Sequence, residues 1–221
     1  MAQLQITRFG GVEVLQLANQ ELTAPASGEV LLDVIYAAVN PVDAKTRAGL
    51  GWAAAQHKDN LPWTPGFDVC GPVQAVGSAV TDFAVGQRVC GMVFRGGAYA
   101  SQLLAVADDL LPVPEVISSE QAAALPLAGL TAWQGLFEHG QLQAGETVLI
   151  SAAAGGVGHI AVQLAKQAGA KVIASASASN HAFLLELGAD QVVDYHDSDA
   201  MDALKGQLDM VFDLVGFDSG L

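Results

Sequence analysis

The stretch "SAAAGGVGHIAVQLAK", residues 151–166, decides the fold. It opens on small residues and places glycines at 155, 156 and 158. It then turns amphipathic, with no Pro and no charge before Lys166. An apolar run, "TVLI" (147–150), leads into it. A loose linker, a membrane span and a phosphate-binding turn can each set glycines between two apolar stretches, so the surroundings must separate them.

Residues 148–165 hold no charged side chain, a length close to the ~18 residues that suggest a transmembrane helix. Three glycines interrupt the run, and Ser151, His159 and Gln163 dilute it, so a span is not expected. The residues beyond the stretch disfavour a linker. Strand-like runs "KVIASA" (171–176), "QVVDY" (191–195) and "LDMVFDLVG" (208–216) alternate with helix-like runs "HIAVQLAKQAG" (159–169), "NHAFLLELG" (180–188) and "AMDALKG" (200–206). Strands alternating with helices predict a parallel, doubly wound sheet. The glycines then lie after its first strand and open its first helix. There, backbone N–H groups and the positive end of the helix dipole receive a dinucleotide's pyrophosphate.

The fingerprint reads Ala153-x-Gly155-x-x-Gly158, with Ala in the first glycine's place. Gly155 is expected to let the backbone approach the pyrophosphate, and Gly158 to let helix and strand pack closely; Gly156 and Val157 complete the loop. NAD-specific folds place an acid about 20 residues further on, for the ribose 2′-hydroxyl. No acid occurs between Gly158 and Glu186. Ser175, Ser177, Ser179 and Asn180 stand there instead, as donors for a 2′-phosphate, which favours NADPH over NADH. No Arg accompanies them, although a phosphate dianion usually recruits one.

Before residue 110 the pattern is different. "VEVLQLA", "EVLLDVIYAAV", "PVQAVG", "QRVCGMVF" and "AYASQLLAV" are short apolar or alternating runs broken by Gly, Pro and Asp, which predicts a β-barrel or sandwich. "SSEQAAAL" (118–125) starts like a capped helix, and "LTAWQGLFEHG" (130–140) continues helically. The domains are therefore expected at 1–120 and 121–221.

Composition narrows the partners. The net charge is −14, with six basic and twelve acidic residues up to position 120, and three and eleven beyond it. No basic face exists in either half, which argues against nucleic acid or an anionic membrane as partner. "MAQLQITRFGG" holds no apolar run of signal-peptide type. Cys70 and Cys90 sit in apolar runs without CxxC spacing, as expected of buried, reduced thiols in a cytoplasmic protein.

Several segments in order resemble a known family: "AAVNPVDAKTRAG" (37–49), "PGFDVCGPVQAVG" (65–77), "GQRVCG" (86–91), "GGAYA" (96–100), "AALPLAGLTAW" (123–133), "AGETVLISAAAGGVG" (144–158) and "LGAD" (187–190). Together they are similar to the medium-chain dehydrogenase/reductase superfamily, in its zinc-free quinone oxidoreductase (zeta-crystallin-like) branch. The resemblance implies an α/β chain with a β domain: a GroES-like β-barrel catalytic domain followed by a Rossmann doubly wound parallel sheet. It also implies an NADPH-dependent oxidoreductase that passes hydride to a quinone or an α,β-unsaturated carbonyl, a small-molecule substrate. Zinc-dependent relatives carry an early Cys ligand, a "GHE"-like motif and a four-Cys lobe. Here Asn40-Pro41 and Gly66-Phe67-Asp68 occupy the first two places, and the chain has 2 Cys, so no metal is expected.

The resemblance places catalytic candidates in "NPVDAKTR" (40–47). Asn40 is expected to orient the nicotinamide or the substrate carbonyl, Asp43 to fix the local loop, and Lys45 to hold a ribose or protonate an enolate. The same Asn-Pro-x-Asp run also makes a good turn, with Lys45 solvated. Thr131 matches a Thr near the nicotinamide in the family, and Tyr195 matches a position flanking the 2′-phosphate. The family's Rossmann sheet has six strands, whereas four are read here before the closing "GFDSGL". The chain is therefore expected to be a truncated form with an incomplete Rossmann domain, and a non-catalytic nucleotide-binding fragment is the alternative function. The full-length form is expected to be a homodimer.

Overall fold

The computed structural model describes residues 1–216, and the last five residues of "GFDSGL" lie outside the described residues. The chain divides into two compact units, Met1–Leu127 and Ala128–Leu221.

The first unit begins with an antiparallel pair, β1 (Ala2–Ile6) and β2 (Leu15–Asn19). The strands β3 (Glu29–Asp33), β4 (Tyr36–Ala38), β5 (Asp68–Val76), β6 (Arg88–Met92), β7 (Gln102–Val106) and β8 (Leu110–Pro112) form its main sheet. Its order is β7-β3-β5-β6-β8, with β4 also paired to β5, and every pairing is antiparallel. The two-residue period decides which side chains go inward. Val30 and Leu32 of β3, Leu103 and Ala105 of β7, and Val69 and Val73 of β5 meet in one buried core. Cys70 and Cys90 are register partners across β5 and β6, and both are free thiols.

Two helices interrupt this β unit where the sequence suggested a turn or a strand-rich stretch: α1 (Pro41–Arg47) and α2 (Gly51–His57). Local chemistry explains α1. Asn40 is its N-cap and Pro41 takes the first helical position, where its missing N–H costs nothing. Asp43, at the third position, accepts the Asn40 backbone N–H at 2.7 Å. For α2, Ala53, Ala54 and His57 are its buried residues, and the His57 ring stacks on Trp63 at 4.3 Å and 19°. Helix α3 (Ser119–Ala124) is capped by Ser118, whose hydroxyl accepts the Gln121 N–H. Its Ala122 and Ala123 pack with Cys70 on β5, so the helix belongs to the first unit although it lies across position 120.

Helix α4 (Pro126–Trp133) runs on into a π-helical turn, Gln134–His139. Beyond it come β9 (Thr147–Ile150), α5 (Gly158–Gln167), β10 (Lys171–Ser175), α6 (His181–Glu186), β11 (Gln191–Val193), α7 (Ser198–Asp202) and β12 (Met210–Phe212). The four strands are all parallel, in the order β11-β10-β9-β12. Counted within this unit the order is 3-2-1-4, that of the Rossmann fold. Both faces of such a sheet are covered, so successive residues of one strand bury on opposite sides. Val148 and Ile150 join a core with Ala161, Val162 and Ala165 of α5, while Leu149 joins Ile173, Val193 and Leu204 on the other face. Among the described residues no helix is long and apolar enough to cross a membrane.

Candidate functional site

In the second unit the chain reverses direction of growth between β9 and β12, because β10 and β11 lie on one side of β9 and β12 on the other. Ligands of open α/β sheets bind outside the carboxyl ends of the strands at such a switch point. The loop 151–157 leaves β9 there, and hydrogen bonds fix its course. Ser151 is fully buried, gives its hydroxyl proton to Asp213 Oδ1 at 2.8 Å, and accepts the Leu214 N–H at 2.7 Å. The Ala153 N–H reaches the Ser175 carbonyl at 3.0 Å, and the Gly155 N–H closes on the Ala152 carbonyl at 2.8 Å.

The three glycines of this loop are not required by backbone torsion; the residue that takes a left-handed conformation is Ala152, with φ of 44°. Close packing explains Gly158. A Cβ on Gly158 would lie 2.4 Å from the Ala152 carbonyl oxygen and 2.6 Å from Ala153 Cα, so α5 can approach the loop only as glycine. A Cβ on Gly156 would meet nothing within 4 Å. Gly156 stands two residues before the start of α5. No side chain caps the helix at Val157, and no acidic residue occupies its first turn. The start of this ten-residue helix thus leaves its backbone N–H groups without a side-chain cap beside the exposed Gly155 and Gly156, and the N-terminal end of a helix dipole favours negative charge. Ala153 contributes differently, because its side chain is buried in the core.

The expected serines separate into two groups. Ser177, Ser179 and Asn180 lie together: the Ser177 hydroxyl is 3.3 Å from that of Ser179 and accepts the Asn180 amide N–H at 3.1 Å. Ser175 is fully buried at the end of β10, and its hydroxyl has no hydrogen-bond partner. Tyr195 is exposed just past β11, with its ring 4.1 Å from that of His196. Sequence reasoning missed Asp194 beside it. Its carboxylate accepts the Ala178 N–H at 3.3 Å and contacts His196 Nδ1 at 2.8 Å, and the two His196 hydrogen bonds hold it below the usual carboxylate range. Asp194 directly follows β11, the neighbour of β10, and so brings a carboxylate beside the chain that leaves β10. Thr131 is exposed on α4.

In the first unit, the start of α1 meets the start of β5. The Asn40 amide nitrogen donates to Asp68 Oδ2 at 2.9 Å, and Asp68 Oδ1 accepts the Leu127 N–H at 2.8 Å. Asp43 Oδ2 accepts the Tyr99 hydroxyl at 2.9 Å as well as the Asn40 N–H. Asp68 is fully buried and Asp43 nearly so. Burial pushes Asp68 up to about 6, against the pull of the Asn40 and Leu127 hydrogen bonds, and the neighbouring Asp43 adds to the rise. Burial likewise raises Asp43. Sequence spacing does not point to Asp68 and Tyr99 as members of this cluster, because 28 and 56 residues separate them from their partners. Lys45 is exposed on α1. A cavity of about 600 Å³ in the same unit, lined by Gln3, Gln5, Trp63, Arg95 and Gln102 among others, includes none of these residues.

A zinc ion does not fit here. Both Asp68 oxygens are engaged by N–H donors, Asn40 offers an amide where a thiolate would be needed, and a catalytic site requires about three ligands. Among the described residues no group of three or more His, Cys, Asp or Glu could hold a metal ion.

The Alcohol dehydrogenase GroES-like domain family matches residues 26–115, and the Zinc-binding dehydrogenase family matches residues 156–221. Quinone oxidoreductase of Mus musculus is 37% identical over 207 residues, covering 93% of this chain and 61% of that protein. The chain thus spans about three fifths of that relative's length. Among solved structures, the quinone oxidoreductase from Coxiella burnetii aligns with a TM-score of 0.91 and 42% identity, over 99% of this chain and 69% of the other. Escherichia coli quinone oxidoreductase complexed with NADPH aligns with a TM-score of 0.87 and 35% identity, over 99% and 67%. The four-strand parallel sheet with its glycine loop, the antiparallel unit before it and these likenesses agree: the chain belongs to the medium-chain dehydrogenase/reductase superfamily, in its zinc-free quinone oxidoreductase branch.

Proposed function

We propose that this chain carries the cofactor seat and polar cluster of an NADPH-dependent oxidoreductase that transfers hydride to a quinone or an α,β-unsaturated carbonyl without a metal. The observation that carries the reading is the uncapped start of α5 at the switch point, with open space over Gly156 and close packing at Gly158. A pyrophosphate fits that seat, where Gly155, Gly156, Val157 and Gly158 offer backbone and Ala153 anchors the loop from below. Ser177, Ser179, Asn180 and Tyr195 would hold the adenosine end, and Ser175 would support them from the strand. When bound, NADPH supplies the hydride.

The chain's own groups do the rest. Reduction of a quinone or enone places negative charge on a carbonyl oxygen, which hydrogen-bond donors stabilise in place of a Lewis acid. Asn40 serves as that donor or orients the nicotinamide, Asp43 holds the start of α1, and Lys45 delivers a proton to the enolate or holds a ribose. Thr131 would contact the nicotinamide. The likeness to an NADPH-complexed relative supports the cofactor choice. A second reading, NADH, is favoured by one observation: the Asp194 carboxylate at the Ala178 N–H, suited to a ribose 2′-hydroxyl. A cytoplasmic setting, and a homodimer for the longer architecture of the relatives, complete the proposal.

Titration of the chain with NADPH and NADH, monitored by tryptophan fluorescence and extended to a turnover screen on quinones and enones, tests it. Tighter NADPH binding with turnover supports the reading. Tighter NADH binding assigns the pocket to Asp194. Binding without turnover reduces the function to nucleotide binding, and binding of neither cofactor overturns the reading.

A further inference from the structure

The Asn40–Asp68 contact is asymmetric. Asp68, the first residue of β5, pairs in register with Ala38 of β4 and Met92 of β6 and is fully buried. Its Oδ1 accepts a backbone N–H, from Leu127. A backbone N–H can only donate, so Oδ1 must stay an acceptor whatever the charge of the group. A proton on Oδ2, the oxygen facing Asn40, leaves the better acceptor, the carbonyl oxygen Oδ1, to the Leu127 N–H. When Oδ2 is bare, only the NH2 end of the Asn40 amide can face it. When Oδ2 carries a proton it becomes a donor, and the amide must turn over to offer Oδ1. Both arrangements satisfy the buried oxygen and differ by half a turn of one side chain; the first also turns the amide oxygen to the Asp43 N–H in the capping box of α1, a contact that the second gives up.

We infer that Asp68 is a positioning residue whose charge state selects which end of the Asn40 amide, oxygen or NH2, is turned away from Asp68 toward a bound partner. The inference rests on the proposed role of Asn40 in contacting nicotinamide or substrate. A carbonyl oxygen gaining negative charge is stabilised by NH2 and opposed by an amide oxygen. Protonated Asp68 is thus the form suited to reduction.

The surroundings favour a proton there. Asp43 on α1, Tyr99 in the segment before β7 and Cys90 on β6 are the titratable groups that interact with Asp68, and none is a cation. Arg88 of β6 is occupied by the carbonyls of Pro114 and Ile117 and the Ser119 hydroxyl, and Glu120 of α3 takes the Tyr36 hydroxyl. Glu29 of β3 lies towards the other end of β5, since its neighbour Val30 pairs with Val76. Asp33, further along β3, is engaged by Gln74 and Gln102.

The test needs no cofactor. In the isotope-labelled chain, the Asp68 side-chain carboxyl carbon and the Asn40 NH2 resonances are tracked by NMR from pH 4.5 to 8, the latter assigned by their loss in Asn40→Ala. Both should move with one midpoint, near the value of about 6 that burial gives Asp68. In Asp68→Asn the retained Oδ1 must still serve Leu127, so its new NH2 faces Asn40. The Asn40 resonances should then sit at the low-pH position of the parent and not titrate. If that variant does not fold, Asn40→Ala gives a second reading: loss of the amide donor should move the Asp68 midpoint upward. An Asn40 signal that stays still while Asp68 titrates, an Asp68 silent over the range, or an unmoved midpoint in Asn40→Ala overturns the inference. Where turnover is present, kcat/KM for a quinone should fall as pH rises through the same midpoint and lose that dependence in Asp68→Asn. Absence of turnover refutes the functional reading and leaves the NMR result standing.

Discussion

Replacing Gly158 and Gly156 by alanine, one at a time, separates packing from ligand binding within a single loop. In Gly158→Ala the new methyl would lie 2.4 Å from the Ala152 oxygen, 2.6 Å from Ala153 Cα and 2.7 Å from the Ala153 oxygen. All three atoms are backbone and cannot swing aside. Ala153 is fully buried in the core shared with α5, so the loop cannot retreat without disturbing Val162 and Ala165. Forced overpacking of this kind costs about 1–3 kcal/mol. The better helix propensity of Ala offsets roughly 0.8–1 kcal/mol of that. Three backbone contacts under 3.0 Å place the variant at the upper end of that range, so a net loss of about 2 kcal/mol is expected, read as a lower urea midpoint at unchanged slope. Gly156→Ala meets nothing within 4 Å and should unfold within about 0.5 kcal/mol of the parent. Its methyl would stand in the loop proposed to hold the pyrophosphate, however, so NADPH binding should weaken at least about tenfold, roughly 1.4 kcal/mol. Gly158→Ala should lose on both measurements. A parental urea midpoint in Gly158→Ala, or parental NADPH affinity in Gly156→Ala, refutes the reasoning.

Ser151→Ala removes a donor to Asp213 and strands the Leu214 N–H; a loss of about 1–3 kcal/mol is expected in urea unfolding. Asp68 has a folded value raised to about 6, so its favourable contribution is complete at acidic pH, below the unfolded value, and disappears as pH rises toward 6. Asp68→Asn should therefore be more stable than the parent at pH 7.5 by up to about 3 kcal/mol, with the advantage gone at pH 4. His57 behaves oppositely: burial lowers it, so the unfolded chain binds the proton first and stability falls as pH drops below roughly 6.5. His57→Phe keeps a ring against Trp63 and should flatten that acid limb in thermal melts.

The parallel sheet was legible because every strand from β9 onward is an apolar run and each helix before the last ends at a glycine, so two independent signals agree. The barrel strands were legible from alternation. Helices α1 and α2 were not, although Asn40, Pro41 and Asp43 spell a helix start. Set among strands, that run reads equally well as a turn, and what separates the two is long-range packing: Val42 of α1 and Ala53 of α2 meet Trp63 and Phe67 in one core. The glycine loop could be placed from spacing alone. The pairing of Asn40 with Asp68, and of Asp43 with Tyr99, could not, since long-range register brings them together. Ser175 was grouped with Ser177 by its place at the end of the second strand, but β10 ends at Ser175, which is buried, and the chain then turns into a 3-10 segment, Ala178–Asn180. Asp194 is invisible to a spacing rule that looks along one strand, whereas the fold supplies it from the next.

The proposed pyrophosphate seat at the start of α5 has no Lys or Arg in residues 151–158, on a chain of net charge −14. Attraction there would come from backbone dipoles at contact range, whereas the repulsion comes from the whole surface. Dissolved ions act unequally on the two: with a Debye length of about 10 Å at 0.1 M, they shield the distant charges and leave the contact dipoles intact. Nucleotide affinity of this chain should therefore improve as ionic strength rises from about 0.01 to 0.1 M, the reverse of a seat lined with arginine.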